Sequence, residues 1–576
     1  IFYCGQNPGT NSPRFLHLLK SAVERGCKIV VLNPLIEKGL VEFVDPQNPM
    51  QMTVKPSTKL ADLYLQVKPG GDIAALMGVI KHALEIDATR KGTAERPVLD
   101  QAFIGTHCNG FDDLRAQVET TDWAEIERHS GLKRKDIEAA ARIYADAERV
   151  IGVYGMGFTQ HVHGSQSIAM LVNLLLMGGH MGRQGAGMSP VRGHSNVQGQ
   201  RTVGISEKPE LVPLDTIAQQ FDFIPPRDEG VTTVTMCEKI LSGEMKAVFQ
   251  LGGNLCRAIP DHLRMEPAWA DMDLTVSIAT KLNRSHLICG RESYLLPCLA
   301  RSEKHVEATG VQSVSMEDTF SHVSGSLGKV TPASTHLLSE VAIICEIAKA
   351  ALPPHPKWKW DEWRGDYATI RDLISGTYAE QFHDMNARMW EKGGFYRGNP
   401  VRDRVWKTES GKAEFTAPDT LTALGIGDAP GRYHLITLRS NDQFNTTIYG
   451  YDDRLRGLKG SRHILLMNPR EIEKAGLTNG QTVDVVADFS DNIDRRVCGV
   501  TITAYNLPDG CVAGYYPEMN PLIALSYHDK LSKTPASKGV PVRIEAGAAR
   551  RDLAIVRCFL RPWQRPVAGN AEVSLA

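Results

Sequence analysis

The sequence has no run approaching 18 consecutive apolar residues, so no segment can cross a bilayer as a helix with its backbone satisfied. It lacks an excess of either charge: 65 Lys and Arg stand against 66 Asp and Glu, a net charge of -1. That removes the positive field by which proteins hold nucleic acid or an anionic membrane surface. There is also no C-x-x-C pair. The eleven cysteines (4, 27, 108, 237, 256, 289, 298, 345, 498, 511 and 558) are scattered, which excludes a self-contained zinc knuckle or iron-sulfur motif. They read as small buried side chains in a reducing, cytoplasmic compartment. Initiator methionine and signal peptide are missing too: the chain opens at Ile1 inside an apolar strand and reads as a fragment lacking its N-terminal part. What is present is a soluble chain of 576 residues, enough for three or four domains.

The opening alternates strand, turn and helix. Ile1 to Gly5 is apolar, Asn7-Pro8-Gly9 is a turn, Phe15 to Arg25 is helical, and Ile29-Val30-Val31 is β-branched up to Asn33-Pro34. Such alternation predicts a parallel α/β sheet. Apolar residues at three-to-four spacing predict a helix from Asp72 to Leu84, fed by the Pro69-Gly70-Gly71 turn, and another over Lys133 to Arg149 leading into the strand Val150 to Tyr154. A second α/β unit begins at Ala247 to Leu251, turns at Gly252-Gly253-Asn254, and continues through Leu274 to Ile278 and the helix Leu338 to Leu352. Residues 353–430 show weak periodicity and read as irregular connection. From Tyr433 short β runs separated by Asn479-Gly480 and Pro508-Asp509-Gly510 predict a terminal barrel. The expected domains are 1–195, 196–428 and 429–576.

The chemistry concentrates in Gly155-Met156-Gly157-Phe158-Thr159-Gln160 and in Arg192-Gly193-His194-Ser195-Asn196-Val197-Gln198-Gly199. Glycines let a backbone approach a ligand, and Gln, Asn, Ser and His supply neutral donors and acceptors, which suits a flat, heteroatom-rich ligand. Glycine content alone favours the plainer reading of tight helix packing plus turns. Arg192 stands among neutral groups; its planar fork can hold a small carboxylate or serve as a structural ion-pair partner. His161, His163, His180 and His194 match no zinc-helix spacing, and no carboxylate stands in register with them.

With these stretches belong Gly5-Gln6-Asn7-Pro8, Val31-Leu32-Asn33-Pro34, Gly71-Asp72-Ile73-Ala74, Arg439-Ser440, Asn445-Thr446-Thr447-Ile448-Tyr449-Gly450, Tyr515-Tyr516-Pro517-Glu518-Met519-Asn520-Pro521 and Thr534-Pro535-Ala536-Ser537-Lys538. In this order, across nearly the whole length, the motifs make the chain resemble the bis-molybdopterin guanine dinucleotide oxidoreductases, close to the formate dehydrogenase catalytic subunits and within them the YdeP-type branch.

The resemblance implies an α/β fold of two pseudo-symmetric dinucleotide-binding domains and a C-terminal six-stranded barrel of double-psi type. It implies two pterin dinucleotides carrying molybdenum or tungsten, held by Asn7, Asn33, Gly71, Asp72, Met156, Gly157, Gln160, Gly193, Asn196, Gly252, Gly253, Asn254, Arg439, Ser440, Asn445, Thr446, Tyr516, Asn520 and Lys538. Arg192 would orient a small anion such as formate, with His194 as proton acceptor. Electrons would pass to a [4Fe-4S] cluster and on to an iron-sulfur or cytochrome partner. The metal's protein ligand and the cluster cysteines are expected upstream of Ile1. His194-Ser195 stands where formate dehydrogenases usually have Gln-Asn, Ala279 where they often have an acid, and Asn33 where Asp is frequent. A nitrate or other oxo-transfer reductase, and a stress-related relative with little turnover, are the alternatives on the same scaffold.

Overall fold

The computed structural model describes residues 1–54 and 56–547; residues 548–576 of the expected third domain, with Cys558, lie outside the described residues. The first α/β unit is a five-stranded, all-parallel sheet ordered Leu63–Leu65, Val30–Leu32, Phe2–Cys4, Ile151–Tyr154, Gly187–Pro190. Its central strands Phe2–Cys4 and Val30–Leu32 are unbroken buried apolar runs because helices cover both faces. On one face the helices Asp72–Arg90, Arg134–Asp146 and Gly164–Met177 pack through Ile73, Leu76, Ile137 and Leu171. On the other, Phe15–Glu24 contributes Leu16 and Leu19.

The second sheet holds three parallel strands ordered Glu292–Pro297, Leu274–Ala279, Ala247–Leu251. Like the first sheet it is all parallel, with three strands against five among the described residues. The helix Glu340–Ala351 packs on it through Ile343, started by the Ser339 side chain, which accepts from the Ala342 amide.

Residues 353–430 are more ordered than the sequence suggests. Four short helices, Trp360–Gly365, Tyr367–Thr377, Ala379–Phe382 and Met385–Arg388, run through them. Most span only one or two turns, too few to develop a readable 3.6-residue period. Ala413–Glu414 then pairs with Cys108–Asn109, and Ala413, Phe415 and Ala423 join the core of the first unit.

The C-terminal unit is the expected six-stranded closed barrel, ordered Tyr433–Leu438, Cys511–Tyr515, Ile464–Met467, Arg496–Ala504, Thr482–Ala487, Lys538–Ala546. Two of its pairings are parallel: Tyr433–Leu438 with Cys511–Tyr515, and Ile464–Met467 with Arg496–Ala504. Closure leaves no free edge and encloses a core of Leu435, Leu465, Val483, Val500 and Val540. Cys4, Cys108, Cys237, Cys256, Cys298, Cys345 and Cys511 are buried free thiols. Burial pushes Cys108 up to about 11 and Cys237 up to about 12, so they stay protonated and packed.

Candidate functional site

In the first sheet the strand Phe2–Cys4 leads outward in one direction and Ile151–Tyr154 begins the run in the other. The two are neighbours, so the chain leaves their carboxyl ends on opposite sides and opens a crevice, the usual ligand position in such sheets. Glycine is required there. The Gly157 amide donates to the Gly5 carbonyl at 3.0 Å, and a Cβ on Gly157 would lie 2.5 Å from that oxygen. Gly5 itself has φ +57°, and a Cβ on it would lie 2.4 Å from the Phe158 nitrogen.

The barrel caps the crevice with the end of Tyr433–Leu438 and with Lys538, enclosing a cavity of about 320 Å³. Its wall brings together twelve of the residues expected from sequence: Asn7, Asn33, Asp72, Met156, Gly157, Gln160, Arg192, Gly193, His194, Arg439, Asn445 and Lys538. Asn7 caps the short helix Pro8–Asn11. Gln160 binds the barrel directly, accepting from the Ser537 hydroxyl at 2.9 Å and, through its carbonyl, from the Lys538 amide at 3.0 Å.

The cavity is cationic. Lys68, Arg192, Arg439, Arg456 and Lys538 line it against only Glu37 and Asp72, and Glu37 is already engaged by Arg456 at 2.6 Å. Lys538 is half-buried, its ammonium donating to the Thr437 hydroxyl at 2.9 Å and to the Thr437 carbonyl. Burial, reinforced by Arg439 and Arg456, lowers it to about 7. Burial raises Asp72 to about 7. The Arg456 Nε is buried without a hydrogen-bond partner among the described residues. Arg456 is otherwise paired with Glu37 and, at 2.7 Å, with Asp453. Arg439 and Lys538 have no ion pair among the described residues, and a cation taken out of water with no anion beside it is costly unless a ligand supplies the charge. Arg439 donates to the Asn445 side-chain oxygen at 2.9 Å, with its guanidinium 5.1 Å from the Tyr516 ring centroid.

Arg192 is exposed on this wall and, among the described residues, makes no hydrogen bond or ion pair. The structural ion-pair reading of it thus has no partner to rest on. His194 meets Asn445 Nδ2 through Nε2 at 3.1 Å and turns its ring edge-on to Phe444.

The other expected residues sit elsewhere. Gly71 starts the helix Asp72–Arg90, and a Cβ there would lie 2.7 Å from the His129 carbonyl, so close packing requires glycine at this position. Asn196 has φ +62° and accepts from the Glu317 amide at 3.0 Å. Ser440 accepts from Arg462 in a buried cluster with Gln443 and Glu518. Gly252, Gly253, Asn254, Thr446, Tyr516 and Asn520 follow the seam between barrel and second unit. Asn254 donates to Thr446 Oγ1 at 2.8 Å and accepts from Ser285 Oγ at 2.6 Å. Tyr516 donates to the Ala258 carbonyl, and Asn520 donates to the carbonyls of Arg257 and Ile259.

Sequence reasoning missed Gln6, Glu37, Lys68, Thr437 and Arg456 as wall residues. Lys68 had a signal, a cation just before the Pro69-Gly70-Gly71 turn. Arg456 had none, since Asp452-Asp453-Arg454-Leu455-Arg456 reads as a solvated charged loop. His161 is buried with Nε2 donating to the Gly157 carbonyl at 3.1 Å, and burial lowers it to about 4. Among the described residues no group of three or more His, Cys, Asp or Glu side chains could hold a metal ion.

These features fit a pterin dinucleotide: close-approach glycines, side-chain amides for a heteroaromatic ring, and the half-buried cations Arg439 and Lys538, which lack an anion among the described residues. The comparisons agree. Residues 1–349 match the molybdopterin oxidoreductase family, and residues 433–541 match the molybdopterin dinucleotide binding domain. Protein YdeP of Escherichia coli K12 is 42% identical over 552 residues, covering 95% of this chain and 72% of that protein. An uncharacterized oxidoreductase of Mycobacterium tuberculosis H37Rv is 39% identical, covering 95% of this chain and 70% of that protein. The alpha subunit of an F420-dependent formate dehydrogenase of Methanococcus maripaludis is 28% identical over 48% of this chain and 38% of its own length. The acetylene hydratase of Pelobacter acetylenicus shares the fold at TM-score 0.62 and 15% identity, over 94% of this chain and 77% of that one.

Proposed function

Since the chain belongs to the molybdopterin oxidoreductase family, we propose that it is a formate dehydrogenase-like catalytic subunit whose substrate is a small carboxylate, formate first among the candidates. Formate would lose two electrons and a proton to give carbon dioxide. The bound pterin dinucleotides would supply the two-electron chemistry through molybdenum or tungsten. Lys68, Arg439, Arg456 and Lys538 would hold the anionic groups of one dinucleotide, with Asn7, Asn33 and Gln160 meeting its polar edges. The Gly252-Gly253-Asn254 turn would face the second. Electrons would leave through a [4Fe-4S] cluster to a redox partner, in the cytoplasm.

The observation that carries the substrate reading is Arg192. A guanidinium on the wall of the cofactor cavity, free of protein partners among the described residues, is available to a ligand as a bidentate carboxylate fork. The formate dehydrogenase relative adds support. The test is dye-linked turnover by protein purified with its cofactor, offered formate and, separately, nitrate. Reduction of dye by formate is the expected result. Nitrate-dependent oxidation of reduced dye, with formate inert, would overturn the formate reading in favour of oxo transfer.

A further inference from the structure

The contacts around His194 fix more than its position. An arginine can only donate hydrogen bonds, so the Asn445 atom that Arg439 Nη1 meets at 2.9 Å must be the amide oxygen. The remaining Asn445 group, Nδ2, is then a donor, and it points at His194 Nε2 at 3.1 Å. His194 Nε2 must accept. A neutral imidazole that accepts at one nitrogen carries its proton on the other. Asn445 is itself held: its carbonyl accepts from Gln443 Nε2 at 2.7 Å, its φ is +48°, and the Arg439 guanidinium rests against the Tyr516 ring.

We propose that the Arg439–Asn445 pair locks His194 as the Nδ1–H tautomer, so that His194 meets a bound anion as a hydrogen-bond donor beside Arg192 and not as a proton acceptor. The polarity runs one way, from Arg439 through Asn445 to His194 and then to the ligand. This replaces the proton-acceptor role expected from the sequence. The nitrogen that could take a proton is occupied by Asn445, and the free nitrogen already has one. His194 and Arg192 line the same cavity, and together they offer an anion one charged and one neutral donor. Asn445 and Arg439 are positioning residues for this purpose. The donor role rests on the anion site proposed above; the tautomer does not.

The experiment uses cofactor-loaded protein labelled with 15N-histidine. The His194 ring signals are identified by their loss in His194→Leu, and formate affinity is measured in parallel by competition. Wild-type His194 should show a protonated Nδ1 and a bare Nε2. In Asn445→Asp the carboxylate still accepts from Arg439 but offers Nε2 an acceptor, so Nε2 should become protonated; a merely structural Asn445 would not move that signal. His194→Leu should weaken formate binding about tenfold or more, and His194→Gln, which retains a donor, should recover part of it. An Nε2–H tautomer in the wild type overturns the inference whatever formate does. If Arg192→Ala weakens formate binding while His194→Leu leaves it unchanged, the donor role falls and the anion site stands. If neither variant alters formate binding, the anion site falls and the donor role with it.

Discussion

The two glycine turns of this protein look alike in sequence and do different work. At Gly5 and Gly155-Met156-Gly157 the glycines bring two backbones together across the crevice, and a Cβ at Gly5 or Gly157 would lie within 2.6 Å of backbone atoms. At Gly252-Gly253 no atom stands within 4 Å of a Cβ position, and the glycines serve their positive φ values of +68° and +86°. The first turn is closed by the barrel into a cavity; the second lies along the barrel seam, with Asn254 engaged by Thr446 and Ser285. The lesson is that glycine marks a ligand-binding turn only together with what closes over it.

The sharpest way to break this contrast is Gly157→Ala. The methyl has backbone on one side and nowhere to go, so the cost should reach at least the ~3 kcal/mol upper end of overpacking, with loss of bound cofactor. Thermal unfolding with metal and guanine analysis reads both.

Next comes Arg192, in the loop after the first sheet's edge strand. Arg192→Ala should lower kcat/KM for the active anion by roughly 10- to 150-fold, the value of one charged hydrogen bond. Arg192→Lys should also be impaired, because it keeps the charge and loses the fork. Cofactor content should stay near normal in both. Steady-state kinetics beside metal analysis would show whether the loss is catalytic.

At the second turn Gly252→Ala should cost only about 1–2 kcal/mol, the strain of a left-handed residue, since the methyl has open space. A loss as large as that of Gly157→Ala, seen in denaturant unfolding, would erase the distinction between the turns.

The remaining effect is in pH dependence. Burial raises Asp72 from 3.8 to about 7, so the folded state binds this proton more tightly than the unfolded chain between those values. Its contribution to stability is complete below about pH 4 and lost as pH rises through 7. Lys538 is lowered from 10.5 to about 7, so its contribution grows as pH rises from 7 to 10.5. For cofactor-free protein these two groups place a stability minimum near pH 7. Asp72→Asn should flatten the acidic limb and leave the alkaline limb, in melting temperatures taken from pH 4 to 10.

The sequence by itself determined the short β-branched strands, the helices long enough to show a period, the barrel's turn-punctuated runs, and the glycine turns at residues 5 and 155–157. Those features are local: a few neighbouring residues fix backbone conformation and the face that must be buried. It could not show that Gly71 packs on the His129 carbonyl or that the Asn196 side chain accepts from the Glu317 amide, because such residues look the same in one dimension as residues facing a cofactor. Tertiary structure decided the rest. Lys68, Arg439, Arg456 and Lys538 become one cationic wall only when the barrel closes on the first sheet. Which nitrogen of His194 carries the proton depends on Arg439, 245 positions away, through Asn445. Electrostatic meaning comes from what surrounds a charge after burial, and surroundings assembled across hundreds of residues leave no trace in local pattern.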